Sequence, residues 1–118
     1  MAASHRTLRC WQTATAIVDA VQEASKAHWQ PRLREVFNQV QRSALSVQLN
    51  IAEGYSYGPS PTCTKLLRVA YGSAVETSEL LDLLIRQGAW PSNDTQRVTE
   101  LSEECLRTLR GFIRKYSS

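Results

Sequence analysis

The sequence predicts an all-α protein, an antiparallel up-down-up-down four-helix bundle that forms one domain over residues 1–118. Three observations predict it: four segments with apolar residues at three- and four-residue steps, Gly, Pro or small polar residues between them, and no segment that alternates like a strand. Heptad spacing favours near-parallel helix packing, and short connectors make successive helices antiparallel neighbours. A chain of 118 residues is long enough to bury one core.

The first helix is predicted from about Leu8 to Ala27, and the second from Pro31, which suits a first helical turn, to Gly54. Gly54 is predicted to end the second helix, and Gly58 to begin a turn. The predicted core positions of the first helix are Leu8, Trp11, Thr15, Val18 and Val21. Those of the second helix form an unbroken heptad pattern: Leu33, Phe37, Val40, Ala44, Val47 and Ile51.

The third helix is predicted to begin at Pro61, with Ser60 as its N-cap, and to end near Gly88. The fourth opens near Asn93 or Asp94. The predicted core positions of the third helix are Leu67, Ala70, Ala74, Thr77, Leu81 and Leu84. Those of the fourth helix are Val98, Leu101, Cys105, Leu109, Phe112 and Tyr116.

Composition and residue spacing exclude several classes of protein. The apolar fraction of 42% and charged fraction of 21% are ordinary for a folded chain and argue against disorder. No apolar run is long enough for a membrane span, and the N-terminal stretch lacks the apolar run of a secretory signal, so we expect a cytoplasmic protein. Cys10, Cys63 and Cys105 form no CxxC pair, so they indicate neither a disulfide framework nor a zinc site.

No catalytic, metal or cofactor site is predicted. A di-metal carboxylate bundle needs histidines placed three residues after glutamates, and neither His5 nor His28 is so placed. Glu76 and Glu79 share a helix face, which is far more often solvated or paired with arginine than used for acid–base chemistry. There is no recognisable catalytic triad and no glycine-rich phosphate loop. We therefore expect a non-enzyme.

Apolar residues also lie outside the predicted core positions of the second and third helices. A helix that is apolar on more than one face usually has a second neighbour, either within a wide bundle core or in another subunit. The residues alone leave these two alternatives open. The predicted oligomer interface consists of Leu45, Leu49, Leu66 and Val69.

The net charge of +3 is concentrated at one end of the predicted bundle. Lys65 and Arg68 lie at the start of the third helix, where the helix dipole disfavours cations, so a bound polyanion is one explanation. The alternative is that charges near the chain ends are merely solvated, and Glu103 with Arg107 forms a favourable i,i+4 pair on the fourth helix. This end holds seven cations, Arg6, Arg9, Lys65, Arg68, Arg110, Arg114 and Lys115, and the carboxylate of Glu53. The predicted nucleic-acid site comprises Lys65, Arg68, Arg110, Arg114, Tyr55 and Tyr57, with the tyrosines in a loop where they stack on bases.

Asn50 and Glu53 form a polar pair near the end of the second helix. Being three residues apart they share a face, which in an antiparallel hairpin meets the third helix. We hypothesise a structural lock in which the amide and carboxylate satisfy polar groups of the third helix, with Arg42 or Arg68 as charge partner. A polar ligand site is the alternative. The predicted motif comprises Asn50, Glu53, Gly54, Gly72 and Ser73, with Gly72 permitting close helix approach.

Four stretches of the chain form a recognisable set: Leu8-Arg-Cys-Trp-Gln, Arg42-Ser-Ala-Leu-Ser-Val, Asn50-Ile-Ala-Glu-Gly-Tyr, and Leu67-Arg-Val-Ala-Tyr-Gly-Ser with Glu76. Together they resemble the four-helix-bundle family encoded in intervening sequences of bacterial 23S ribosomal RNA genes. This family is similar to the accessory variability proteins of diversity-generating retroelements. The resemblance implies a homopentameric ring and, in the retroelement proteins, a basic surface that engages reverse transcriptase and nucleic acid.

The chain departs from the family at several positions. Gln48 replaces a family proline, and basic family positions are occupied by Gln41 and by Ser56 with Tyr57. The retroelement role is therefore not transferred as such. Two hypotheses remain: a homo-oligomer that binds RNA, DNA or a nucleic-acid enzyme through its basic end, and a protein–protein scaffold with no nucleic-acid role.

Overall fold

The structure, a computed structural model, describes residues 4–117 and the side chains of residues 4–116. Four long helices and three short 3-10 turns account for nearly all of this part of the chain, and it contains no strand. The helices are α1 (Arg9–His28), α2 (Arg34–Ser56), α3 (Pro61–Arg86) and α4 (Thr95–Ser117). The 3-10 turns are His5–Thr7, Pro31–Leu33 and Ser92–Asp94. The predicted all-α fold is confirmed.

Each helix packs against two neighbours, in the cyclic order α1, α2, α3, α4 and back to α1. Two contacts show that α2 and α3 are antiparallel. The Ser46 hydroxyl of α2 lies 2.9 Å from the Ser73 hydroxyl of α3. One turn later on α3, Thr77 donates a hydrogen bond to Ser43, which lies one turn earlier on α2. The described part of the chain measures 44 × 23 × 22 Å. The molecule is therefore the predicted antiparallel four-helix bundle, about two helices wide in each short direction.

One cluster of buried side chains runs between the four helices. Every core position predicted on α2 and α3 is buried, from Leu33 to Ile51 and from Leu67 to Leu84. On α4, Leu101 and Tyr116 are only partly buried and the other four predicted positions are buried. The apolar periodicity of these three helices thus identified the faces that pack inward.

The predicted core face of α1 is wrong except at Val21. Leu8, Trp11 and Val18 lie partly buried against the edge of the core. The face that points to the bundle axis carries smaller residues instead: Cys10, Thr13, Ala14, Ile17, Val21 and Ala24. Small side chains occupy the axis because the helices approach closely there, and the larger ones cover the flank.

Two glycines differ from their predicted roles. α2 continues past Gly54 to Ser56, and the left-handed residue is Gly58, with φ 65°. A Cβ on Gly54 would lie 3.3 Å from Leu66 Cβ and 3.4 Å from the Cys63 carbonyl oxygen, so this glycine permits close packing of α2 on α3. Gly72, predicted for that role, is exposed, and a Cβ there would meet nothing within 4 Å.

The remaining helix ends follow the sequence. The Ser60 hydroxyl accepts a hydrogen bond from the Cys63 amide at 3.1 Å, with Pro61 in the first turn of α3. Gly88, with φ 70°, follows the end of α3. No helix within residues 4–117 combines the length and apolar character of a membrane span.

All three cysteines are buried and none forms a disulfide. Burial, with a smaller contribution from the neighbouring Cys105, raises the pKa of the Cys10 thiol to about 12. Burial also raises the pKa values of Cys63 and Cys105. These thiols therefore stay protonated at neutral pH and act as small apolar side chains of the core.

Candidate nucleic-acid interface

The ends of α2 and α4 and the starts of α1 and α3 meet at one end of the bundle, here called the basic end. A groove of about 940 Å³ runs there along the first turns of α3. The cations Lys65 and Arg68 line it, and among the side chains that the structure describes no acidic one does. The other lining residues of this α3 groove are Pro59, Ser60, Pro61, Thr64, Val69 and Tyr116.

Lys65 and Arg68 project from α3 as exposed side chains. Within the described residues neither makes an ion pair that would neutralise it. Both lie near the helix N-terminus, where the dipole already contributes positive potential. The α3 groove therefore presents an uncompensated positive field to solvent.

A second groove, of about 540 Å³, follows the outer face of α4. Arg107, Arg110 and Arg114 line it at spacings of three and four residues, which place them on one helix face. Glu103, Leu106 and Gly111 complete this α4 groove. Sequence reasoning placed Arg110 and Arg114 at the basic end but missed Arg107, although the spacing of the three arginines was visible.

The predicted ion pair between Glu103 and Arg107 is wrong, since no pair joins these two side chains within 4.0 Å in residues 4–116. Arg107 is exposed and lines the α4 groove instead. An i,i+4 pair on a helix surface gains only about 0.3–0.5 kcal/mol, which solvation of both charges easily matches. Arg107 also helps to lower the pKa of the nearby Glu104 carboxyl, so its positive charge in the α4 groove is partly compensated.

Arg110 is held in place by Tyr71 of α3. Its Nη2 donates a hydrogen bond to the Tyr71 hydroxyl, and its guanidinium carbon lies 5.5 Å from the centroid of the tyrosine ring. A cation over an aromatic face is attracted by the ring quadrupole without losing its charge. The contact therefore fixes the Arg110 side chain and leaves its positive charge at the surface.

Arg9 does not belong to the uncompensated charge of the basic end. Its Nε lies 2.5 Å from Glu104 Oε2, and its Nη2 donates to Glu104 Oε1 at 2.9 Å. The hydrogen bond from Arg9 lowers the pKa of the Glu104 carboxyl, and the same bond raises the pKa of Arg9. The sequence could not show this pair because it joins α1 to α4 across 95 residues.

The two predicted tyrosines have different surroundings. Tyr57 follows α2 directly and is 55% exposed, so its ring faces solvent. Tyr55 was predicted in a loop but lies in the last turn of α2, partly buried, with its ring centroid 6.2 Å from that of Phe112. Tyr116 takes a place in the α3 groove that sequence reasoning had not given it. Partial burial raises the pKa of its hydroxyl, so Tyr116 is neutral at neutral pH.

Asn50 belongs to a row of polar contacts between α2 and α3. Its Nδ2 donates to the Ser46 carbonyl at 2.8 Å and to the Ser46 hydroxyl at 3.1 Å. The Ser46 hydroxyl in turn contacts that of Ser73 at 2.9 Å. Asn50 therefore reaches Ser73 through Ser46 and not directly.

Glu53 does not take part in this row. The side chain is exposed, and within the described residues its carboxylate makes no ion pair with Arg42 or Arg68. The carboxylate half of the hypothesised lock is therefore wrong. Glu53 lies on the solvent side of α2 because Gly54, its neighbour, occupies the face that packs against α3.

Three of the four predicted interface residues are exposed. These three, Leu45, Leu49 and Val69, are called the apolar strip. Leu45 is 44% exposed, Leu49 55% and Val69 47%. The Ser46 to Ser73 contact fixes the helix register and sets Val69 level with Asn50, so Leu49 and Val69 lie at nearly the same height on adjacent helices. Leu66, the fourth, is partly buried where α3 meets Gly54. The interface itself stays a prediction.

The chain matches a known protein family over most of its length. A family model described as 23S rRNA-intervening sequence protein matches residues 6–111 of the chain. No curated protein matches significantly. The matched range runs from the turn before α1 through most of α4 and contains all four stretches that carry the sequence resemblance.

Proposed function

The chain belongs to the family of 23S rRNA-intervening sequence proteins, and from this premise we propose a non-enzymatic homo-oligomer that binds nucleic acid, or a nucleic-acid enzyme, through its basic end. The family is helical and functionally uncharacterised. A pentameric ring is the assembly that the resemblance implies, and the cytoplasm is the location that the sequence predicts. The absence of catalysis rests on the sequence, which has no recognisable order of catalytic residues.

One observation carries the proposal: Lys65 and Arg68 line an open groove that no acidic side chain of residues 4–116 lines. Lys65 and Arg68 are like charges three residues apart on one helix face, and Lys65, in the second turn of α3, is the nearer to the positive end of the dipole, so their placement is unfavourable in the isolated protein. A polyanion in the groove would reverse the sign of that interaction. Phosphates of a nucleic acid are the commonest polyanion that arginine and lysine bind.

The neighbouring α4 groove extends the same surface. Arg110 and Arg114 line it, and the hydrogen bond to Tyr71 fixes the position of the Arg110 side chain in the groove. Four cations that each neutralise one phosphate of a duplex give a slope of about −3.6 for log affinity against log salt. Between about 50 and about 200 mM salt such a complex weakens roughly 100-fold.

The test is fluorescence anisotropy of a labelled RNA hairpin and a labelled DNA duplex, each at about 50 and about 200 mM salt. The basic-end variant replaces four cations by glutamine: Lys65, Arg68, Arg110 and Arg114. The control variant removes the same charge from the opposite end by replacing Lys26, Arg32, Arg34 and Arg97. We expect salt-dependent binding that the basic-end variant loses and the control retains.

Either of two results would contradict nucleic-acid binding. One is the absence of binding to both probes at the lower salt. The other is an equal loss in the two variants, because binding would then follow net charge and not the grooves of the basic end.

The alternative function, a protein–protein scaffold, is favoured by the apolar strip. Leu45, Leu49 and Val69 are each more than 40% exposed, and large side chains clustered in this way suit contact with another protein surface. A scaffold would capture its partner with little dependence on salt, because apolar burial is not screened. Salt dependence therefore separates the two functions.

A further inference from the structure

Gly111 is an exposed glycine within α4 that internal packing does not explain. A Cβ built on it would meet no atom within 4 Å, and its φ is not positive. Glycine in a helix interior is less favourable than alanine, because it has more conformational freedom to lose. An exposed helical glycine leaves room for another backbone to approach the helix closely. Gly72 of α3 leaves the same room, so what distinguishes Gly111 is the set of side chains around it.

The surroundings of Gly111 indicate what approaches. It lies in the α4 groove one turn after Arg107, directly after Arg110 and three residues before Arg114. Three arginines thus flank a bare patch of helix surface, and the one acidic side chain described in this groove, Glu103, lies two turns before Gly111. From Arg107 to Arg114 the helix rises about 10 Å, so arginines lie on both sides of Gly111, close enough to contact one backbone segment that passes over it.

We propose that a phosphodiester backbone crosses α4 at Gly111, between Arg107 and Arg110 on one side and Arg114 on the other. This inference rests on the proposed function and adds to it the crossing point and a role for Arg107. Arg110, held by Tyr71, is already positioned for the contact. Contacts of this kind position a nucleic acid and do not select its base sequence.

A matched pair of glycine variants tests the crossing. Gly111→Gln fills the bare patch with a neutral side chain, and Gly72→Gln makes the same change at another exposed helical glycine, one that lines neither groove. Both variants should melt at or above the temperature of the wild-type protein, because glutamine favours helix more than glycine. Anisotropy with the RNA hairpin and the DNA duplex at about 50 mM salt then measures the effect on binding.

We expect Gly111→Gln to bind about ten-fold more weakly, which is the effect of losing one hydrogen bond between an arginine and a phosphate. Gly72→Gln should bind like the wild type. Arg107→Gln should lower the salt slope by about one, because one phosphate contact is lost. Weakening on RNA, DNA or both supports the crossing and identifies which backbone is accepted.

Three results would overturn the inference. Equal weakening in the two glycine variants would show that the effect is not local to the α4 groove. If Gly111→Gln binds like the wild type while the basic-end variant loses binding, the crossing at Gly111 is contradicted and the proposed function is still supported. No binding by the wild-type protein would overturn both.

Discussion

Gly54 should tolerate a side chain far less well than Gly72, although both lie within helices. We expect Gly54→Leu to lower the free energy of unfolding by about 1–3 kcal/mol, the usual cost of overpacking a close contact. Gly72→Leu should instead raise it by roughly 0.5–1 kcal/mol, because leucine favours helix more than glycine does. The two substitutions are chemically identical and differ only in their surroundings.

The size of the difference follows from the contacts. A Cβ at Gly54 would lie 3.3 Å from Leu66 Cβ and 3.4 Å from the Cys63 carbonyl oxygen. Both atoms are fixed by the backbone of α3 and cannot rotate away. The remaining carbons of leucine would therefore require α2 and α3 to separate, whereas at Gly72 no atom lies within 4 Å of the added Cβ.

Urea unfolding followed by circular dichroism measures the difference. All variants are compared at one protein concentration, because the proposed assembly would make stability depend on concentration. Gly54→Ala should change the free energy of unfolding little. Alanine favours helix over glycine by about 1 kcal/mol, and the close contact of the added Cβ should largely offset this gain. Equal urea midpoints for Gly54→Leu and Gly72→Leu would refute the close approach of α2 and α3 at Gly54.

Two further predictions concern the ion pair and the apolar strip. Glu104→Gln should destabilise the protein at neutral pH, and its difference from the wild type should vanish as the pH falls below 4.5 through the lowered pKa of Glu104. Thermal melts across that range check this, and a pH-independent difference would contradict it. If the apolar strip is the interface of the proposed oligomer, Leu49→Glu should dissociate that oligomer and Glu53→Gln should leave it intact. Light scattering checks this, with a wild-type mass that is a multiple of 13.3 kDa and a monomer mass for Leu49→Glu.

The faces of α2, α3 and α4 could be predicted because large apolar residues lie on each of them and the smaller residues between follow the same three- and four-residue steps. Phe37, Ile51 and Leu67 are each fully buried. The face of α1 could not, because its axis positions are small residues such as Cys10 and Ala14, while its largest apolar residue, Trp11, lies on the flank. Periodicity in hydrophobicity fails where side-chain size decides which face fits the axis.

The sequence predicted which end of the bundle carries the excess cations, but it did not predict the side-chain contacts that these cations make. The positions of Lys65 and Arg68 followed from helix order alone, since an antiparallel bundle gathers alternate helix ends. The pairing of Arg9 with Glu104 and the Tyr71 contact of Arg110 depend on helix rotation, which no local pattern contains. The sequence shows that Gly111 is a glycine within a predicted helix. Only the structure shows that the space around it is open.

The most direct test of the central claim is the affinity of the basic-end variant for the RNA hairpin and the DNA duplex, measured beside the control that loses equal charge at the opposite end. Binding that the control retains and the basic-end variant loses, with a salt slope near the −3.6 or so expected for four phosphate contacts, is the predicted result. Identical affinities of the two variants, or no binding by the wild-type protein at about 50 mM salt, would contradict a nucleic-acid role for the basic end.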